Sequence, residues 1–221
     1  MRRLVLATAG IGLLLAGCLR GPASPAFTLA PATPANPPMR LPDPPAPKPA
    51  APVKAAVDTA WYTPRSAWAS GTVNVGDTEP MAKPWRITVH HSGNVSDDDG
   101  DPKSMLRTFE RNHQEKGWAC IGYHFIIAKD GRVFEGRPLK YQGAHAGGEN
   151  NLGNIGVCLM GDFDTTQVPK AQREALFDTL DRLGRTYGIK RNNVYGHRDF
   201  KTTECPGRNL YRLVEKFQNG E

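Results

Sequence analysis

The sequence predicts an α/β domain, a central mixed β-sheet flanked by about three helices, preceded by a signal peptide and a disordered Pro-rich linker. Three observations predict it. Short apolar runs with period-two alternation are interleaved with longer stretches of helical spacing, a pattern that places helices against a sheet. A Pro- and Ala-rich stretch separates this region from the N-terminus. The N-terminus itself is a short apolar run behind two arginines. Taken in order, Trp85 to His90 alternates as a strand does. Asp101-Pro102 opens a helix with Met105, Leu106 and Phe109 on one face and Gly117 as its stop. Ile121 to Ala128 reads as a strand, Asp130-Gly131 as a tight turn and Arg132 to Glu135 as the returning strand of a hairpin. Asn154 to Met160 is a short, largely apolar strand. Pro169 starts a second helix, in which Ala175, Leu176, Leu180 and Leu183 recur at helical spacing until Gly188. Asn193-Val194-Tyr195 reads as a short edge strand and Pro206 to Phe217 as a terminal helix.

The parts before this domain carry their own chemistry. Arg2 and Arg3 with the apolar run Leu4 to Ala16 have the form of an export signal, and the run is too short to span a bilayer. Leu15-Ala16-Gly17-Cys18 resembles a bacterial lipobox, in which the cysteine is lipidated and becomes the new N-terminus. That resemblance divides the chain into a signal peptide (1–17), a lipidated Cys18 with a Pro/Ala-rich tether (18–60) and a folded domain (61–221). Leu19 follows the cysteine in place of the aspartate associated with inner-membrane retention, so the expectation is an outer-membrane lipoprotein facing the periplasm. Pro22 to Pro52 holds twelve prolines and almost no bulky apolar residues, too little to offset the entropy of ordering. As extended polyproline II, some forty residues would reach on the order of 130 Å. The net charge of +6 is concentrated in these parts. Six basic residues precede Trp61 against Asp43 and Asp58, which leaves 22 basic and 20 acidic residues in the folded part. That balance gives no footprint for nucleic acid.

Within the domain, His90 and His91 close the first predicted strand, Gly196-His197-Arg198-Asp199 supplies another histidine, and Cys205 follows His197 by eight residues. Catalytic zinc sites take three ligands from His, Cys or carboxylate and leave one position open. Spacing leaves open which of His90 and His91 takes part, since neighbouring strand residues face opposite ways and only one of them can reach a common centre.

From Trp85 onward the chain resembles the family of peptidoglycan recognition proteins and type-2 N-acetylmuramoyl-L-alanine amidases. The matching segments are Ile87-Thr88-Val89-His90-His91-Ser92, Gly117-Trp118, Ile121-Gly122-Tyr123-His124-Phe125-Ile126-Ile127 and Asp130-Gly131-Arg132-Val133 with Glu135-Gly136-Arg137. They continue with Gly143-Ala144-His145-Ala146-Gly147, Asn154 to Gly161, and Gly196-His197-Arg198-Asp199 ending in Cys205-Pro206-Gly207. The resemblance implies zinc-dependent cleavage of the amide between N-acetylmuramic acid and L-alanine, with one Zn²⁺ on His90, His197 and Cys205, and peptidoglycan or muropeptides as the partner. It implies Tyr123 and Thr203 as catalytic groups, and His145 and Asn150 as substrate contacts. His91 is then packed or supporting. One departure stands out: relatives often carry Asp where this chain has Cys120. Cys120 and Cys158 lie near strands in an oxidising compartment; buried thiols are expected in preference to a disulfide, because relatives lacking a partner cysteine also carry Cys at the position of Cys158.

Two other functions fit parts of the pattern. A recognition module that binds without cutting typically loses the cysteine ligand, which is present here. A structural lipoprotein accounts for the anchor and tether but leaves the ligand set unexplained.

Overall fold

The computed structural model describes residues 60–93 and 100–221; the expected signal peptide, Cys18 and all but the last residue of the expected tether lie outside the described residues. Five strands form one sheet: β1 (Arg86–His91), β2 (Phe125–Ile127), β3 (Val133–Glu135), β4 (Asn154–Leu159) and β5 (Val194–Gly196), in the order β3-β2-β4-β1-β5. All pairings are parallel except the β2–β3 hairpin, so the sheet is mixed, as the alternation of element types predicts. Three helices complete the domain: α1 (Pro102–Gln114), α2 (Lys170–Tyr187) and α3 (Arg208–Asn219). No helix among the described residues is long and apolar enough to cross a membrane.

Local chemistry sets the helix ends. The Asp101 side chain accepts from the Lys103 N–H and Pro102 occupies the first turn of α1, where its missing N–H costs nothing. Gly188 stops α2 in the left-handed conformation at φ 70°, which side chains other than glycine adopt reluctantly. The apolar spacing then decides packing. Leu176, Leu180 and Leu183 of α2 and Leu210, Val214 and Phe217 of α3 pack against Ile87, Val89, Phe125, Ile127, Ile155, Val157 and Leu159. On the opposite sheet face, Leu106 of α1 packs with Trp68, Ile121, Ile126, Phe134, Cys158 and Met160.

That second face is only partly apolar. The residues of β1 that alternate onto it are Arg86, Thr88 and His90, all buried, and those of β4 are Asn154, Gly156 and Cys158. Buried polar groups need partners, and the neighbouring strand and loop supply them here. The Thr88 hydroxyl and the Asn154 amide exchange hydrogen bonds of 3.0 and 2.9 Å.

Two element boundaries differ from the periodicity. The strand expected over Ile121 to Ala128 is in the ladder only at Phe125–Ile127. Gly122 N instead donates to His113 Nδ1 and Gly122 O accepts from Ala144 N, so a side chain and a loop occupy the groups a neighbouring strand would use. The terminal helix starts at Arg208 rather than Pro206, because Gly207, at φ 87°, is pressed against the backbone of Phe163 and Asp164. Cys120, Cys158 and Cys205 are free thiols, the first two buried. At the Cys120 departure, the buried Arg137 guanidinium donates to the carbonyl oxygens of Cys120, Ile121 and Gln142.

His124 gives the fold a pH dependence. Its Nδ1 accepts from Gly156 N at 3.0 Å and its Nε2 donates to Tyr141 O at 3.1 Å. Burial pushes its pKa from 6.5 down to about 4. Between these values the unfolded chain binds a proton that the folded chain does not, so stability falls as pH drops through this window. The full effect is on the order of 3 kcal/mol. Urea unfolding at pH 7, 6, 5 and 4 is expected to show midpoints that fall below pH 6.5; a flat profile would contradict the buried neutral ring.

Candidate metal centre

β1 ends with His90 on the polar sheet face and His91 on the other. β5 runs parallel to β1, with Gly196 in register with Val89, so the next residue, His197, leaves the sheet beside His90. His197–Asp199 is a single 3-10 turn held by Asp199, whose carboxylate accepts from Gly196 N and from the Tyr211 hydroxyl. The chain then returns: Arg198 N donates to Cys205 O at 2.9 Å, which brings Cys205 back to the start of the turn. The eight-residue spacing is thus a closed loop. The Thr203 hydroxyl oxygen accepts from Cys205 N at 3.2 Å and orients the end of that loop.

The result is a convergence of His90, His197 and Cys205, with one donor atom from each lying within 4.8 Å of the others. His90 Nδ1 is 3.6 Å from Cys205 Sγ, and the His90 and His197 rings are 4.6 Å apart. His91 lies elsewhere. Its Nδ1 accepts from Phe163 N at 3.3 Å and sits 3.8 Å from Asp162, on the α2/α3 side. It is near Asp162 and Asp164, but those carboxylates already accept from Asp164 N and Arg208 N and serve as loop caps.

Burial governs the protonation of the converging groups. It holds His90 well below the ordinary histidine value, with His145 and His197 adding to the shift. His197 is lowered to about 4, by burial first and then by Lys201 and His91. Burial pushes the Cys205 thiol up to about 12. At neutral pH the site is therefore two neutral imidazoles with lone pairs and one protonated thiol, a set able to take up a cation.

Residues 80–208 match the family model for N-acetylmuramoyl-L-alanine amidase, Amidase_2. The chain belongs to this amidase family. Peptidoglycan-recognition protein SC2 of Drosophila simulans is 34% identical over 134 residues, 59% of this chain and 72% of that protein. A solved endolysin N-acetylmuramoyl-L-alanine amidase from Clostridium intestinale is 32% identical, with a TM-score of 0.52 over 61% of this chain and 83% of that one. A Drosophila PGRP-LB mutant, solved in complex with tracheal cytotoxin, is 29% identical, with a TM-score of 0.61 over 70% of this chain and 92% of that one.

On this amidase-family frame the remaining expected site residues fall in different surroundings. The Tyr123 ring lies 5.1 Å from that of His90 and is partly exposed. Its hydroxyl is held protonated, raised well above 10.0 by burial, with the Cys158 and Cys205 thiols adding to it. Thr203 is also partly exposed, and because its oxygen takes the Cys205 N–H, its own O–H remains a donor. Asn150 is held through its backbone oxygen, which accepts from Arg86 Nη2 and Asn154 Nδ2 at 2.7 Å each, and its side chain is partly exposed.

His145, expected at the substrate, sits in a different environment. It is 8% exposed, its Nδ1 is 3.0 Å from His90 Nε2 and its Nε2 is 3.1 Å from Asn154 O. Both ring nitrogens are held by the protein itself. Sequence reasoning also passed over Asn151, whose Oδ1 accepts from His145 N and Ala146 N at 3.0 and 2.8 Å. Adjacent asparagines give no local sign of which one staples the loop. Asn154 did carry a signal: a polar residue opening an otherwise apolar buried strand needs a buried partner.

Proposed function

We propose that this domain hydrolyses the amide bond between N-acetylmuramic acid and L-alanine in peptidoglycan with one zinc ion held by His90, His197 and Cys205. The observation that carries the proposal is the convergence of these groups beside the partly exposed Tyr123. Zinc is supported by the donor chemistry. Tetrahedral zinc with ordinary Zn–N and Zn–S lengths has an N···S edge of about 3.6 Å, and His90 Nδ1 and Cys205 Sγ stand 3.6 Å apart. Two imidazoles and one sulfur are a three-ligand set of the catalytic type, with a further position left for water or substrate.

Zinc held by His90, His197 and Cys205 would supply a Lewis acid for the scissile carbonyl and would lower the pKa of water from 15.7 toward about 7. The chain's own groups do the rest. Tyr123, protonated at working pH, would turn its O–H from the Cys158 sulfur to the carbonyl oxygen as negative charge develops on it. Thr203, whose oxygen accepts from Cys205 N, keeps its O–H for use as a second, neutral donor, weaker than a charged one. His197 and His90, neutral, keep their lone pairs for the metal.

Tyr123→Phe is expected to lower the turnover rate by about 10²- to 10³-fold, the usual cost of one oxyanion donor, while zinc content by atomic absorption stays at one per chain. Loss of zinc in this variant would make Tyr123 structural rather than catalytic. The reading as a whole is tested by incubating the full chain with cell-wall sacculi, with and without chelator. Zinc-dependent appearance of free L-alanine N-termini is expected. Retention on the sacculi without release would favour a recognition module, a reading that the names of several relatives suggest and that the presence of Cys205 opposes. We further propose a lipid anchor at Cys18 and a periplasm-facing outer-membrane location. Mass spectrometry of the mature N-terminus tests it: an acylated Cys18 is expected, and an unmodified one contradicts the anchor.

A further inference from the structure

The His90–His145–Asn154 chain has a direction that the chemistry of its ends imposes. A backbone carbonyl can only accept, so the 3.1 Å contact between Asn154 O and His145 Nε2 requires the proton on that nitrogen. His145 is buried, and its ring faces the His90 and His124 rings and a backbone carbonyl, with no carboxylate among them to hold a second proton, so its Nδ1 carries a lone pair. That lone pair faces His90 Nε2 at 3.0 Å. Two lone pairs at this distance would repel, so His90 Nε2 must be the donor. A neutral His90 then has its own lone pair on Nδ1, the atom 3.6 Å from Cys205 Sγ. The Asn154 carbonyl, through two rings, thus selects which nitrogen of His90 is free for a cation.

The surroundings lock the intermediate ring in place. A Cβ at Gly143 would lie 2.4 Å from His145 Cδ2 and one at Gly156 would lie 2.6 Å from it, so the ring fills space that only glycines leave on both sides. The backbone of His145 is held by Asn151 Oδ1. Thr88, Asn150 and Asn154 tie down the accepting end.

From this geometry we infer that His145 is a positioning residue that fixes the metal-presenting tautomer of His90, and not a substrate contact. The inference rests on the zinc-amidase reading and assigns this chain's own residue a role toward that metal. A ring whose other nitrogen is held by an outer partner is a better ligand, and losing such a partner lowers metal affinity by about 10- to 100-fold.

The test uses the full chain, stripped of metal and titrated with Zn²⁺ against a chromophoric chelator, together with long-range ¹H–¹⁵N spectra of the histidine rings in the metal-free protein. In the wild type, His90 and His145 are both expected as neutral Nε2–H tautomers. His145→Ala is expected to bind Zn²⁺ about 10- to 100-fold more weakly and to populate the Nδ1–H tautomer of His90. His145→Asn, whose Oδ1 occupies roughly the place of Nδ1 and still accepts from His90, is expected to recover most of the affinity. A wild-type His90 protonated on Nδ1 overturns the inference without recourse to any variant. So does wild-type affinity in His145→Ala, or an equal loss in the Ala and Asn variants. A wild type that takes up no Zn²⁺ at all overturns the zinc-amidase reading instead, and the two failures are thereby distinguished.

Discussion

Cys205→Ser is expected to abolish zinc binding and wall hydrolysis together, with activity falling by about three orders of magnitude or more because water returns to its ordinary pKa. A serine hydroxyl fills nearly the same space but does not ionise to a ligand near neutral pH, whereas a cysteine thiol does so when a metal replaces its proton. The replacement should leave the fold intact. Cys205 is only partly buried, and its sulfur touches His90 Nδ1 at 3.6 Å and His91 O at 4.0 Å, contacts too long to hold much energy. Circular dichroism melts of the metal-free variant and wild type should therefore coincide, while zinc content and product release both vanish. The thiol also sets a pH dependence. With its pKa pushed up to about 12 in the metal-free protein, it is protonated, while His197, at about 4, is already neutral. Zinc uptake then releases one proton, so affinity rises by about tenfold per pH unit between pH 6 and 8. Calorimetry in buffers of different ionisation enthalpy counts that proton; a pH-independent affinity, or a Cys205→Ser variant that still cleaves sacculi, would remove the sulfur from the site.

The largest expected loss of stability lies away from the site, at Glu110→Ala. Glu110 and Arg65 are 4% and 8% exposed, and the guanidinium donates to both carboxylate oxygens at 2.5 and 2.6 Å. Arg65 belongs to the segment that crosses from β3 to α1. Its neighbours Thr63 and Trp68 bond to the β3 backbone at Val133, Glu135 and again Glu135, while Glu110 sits on α1. Removing the carboxylate leaves a buried guanidinium held by a 3.3 Å contact to Gly71 O. An uncompensated charge of this kind costs about 3–5 kcal/mol. Urea unfolding should show that loss in Glu110→Ala and recover most of it in the double variant Arg65→Met/Glu110→Leu, since an apolar pair of similar size avoids the desolvation penalty. A single variant within about 0.5 kcal/mol of wild type would mean that the pair is solvated.

Much of this was legible in the residues. Periodicity and capping placed α1, α2 and α3 to within two residues or so, because Asp101, Pro102 and Gly188 act on backbone within a turn of themselves. Alternation stated that only one of His90 and His91 could reach a shared centre. It failed at Ile121 to Ala128, where the run reading as a continuous strand is cut short by His113 and Ala144, partners of Gly122 nine and more residues away.

The residues by themselves determined the order of elements, the apolar faces of the helices and the family motifs, since these depend on spacing within a few turns and on residue type. Only the tertiary structure decided which face of β1 meets the 196–205 loop, that Asn151 and not Asn150 staples the loop before β4, and that His145 faces inward. The reason is physical: burial and hydrogen-bond partnership join groups far apart in the chain, as His90 and His145 are at 55 residues and His90 and Cys205 at 115, and no local pattern encodes which distant partner a side chain will meet.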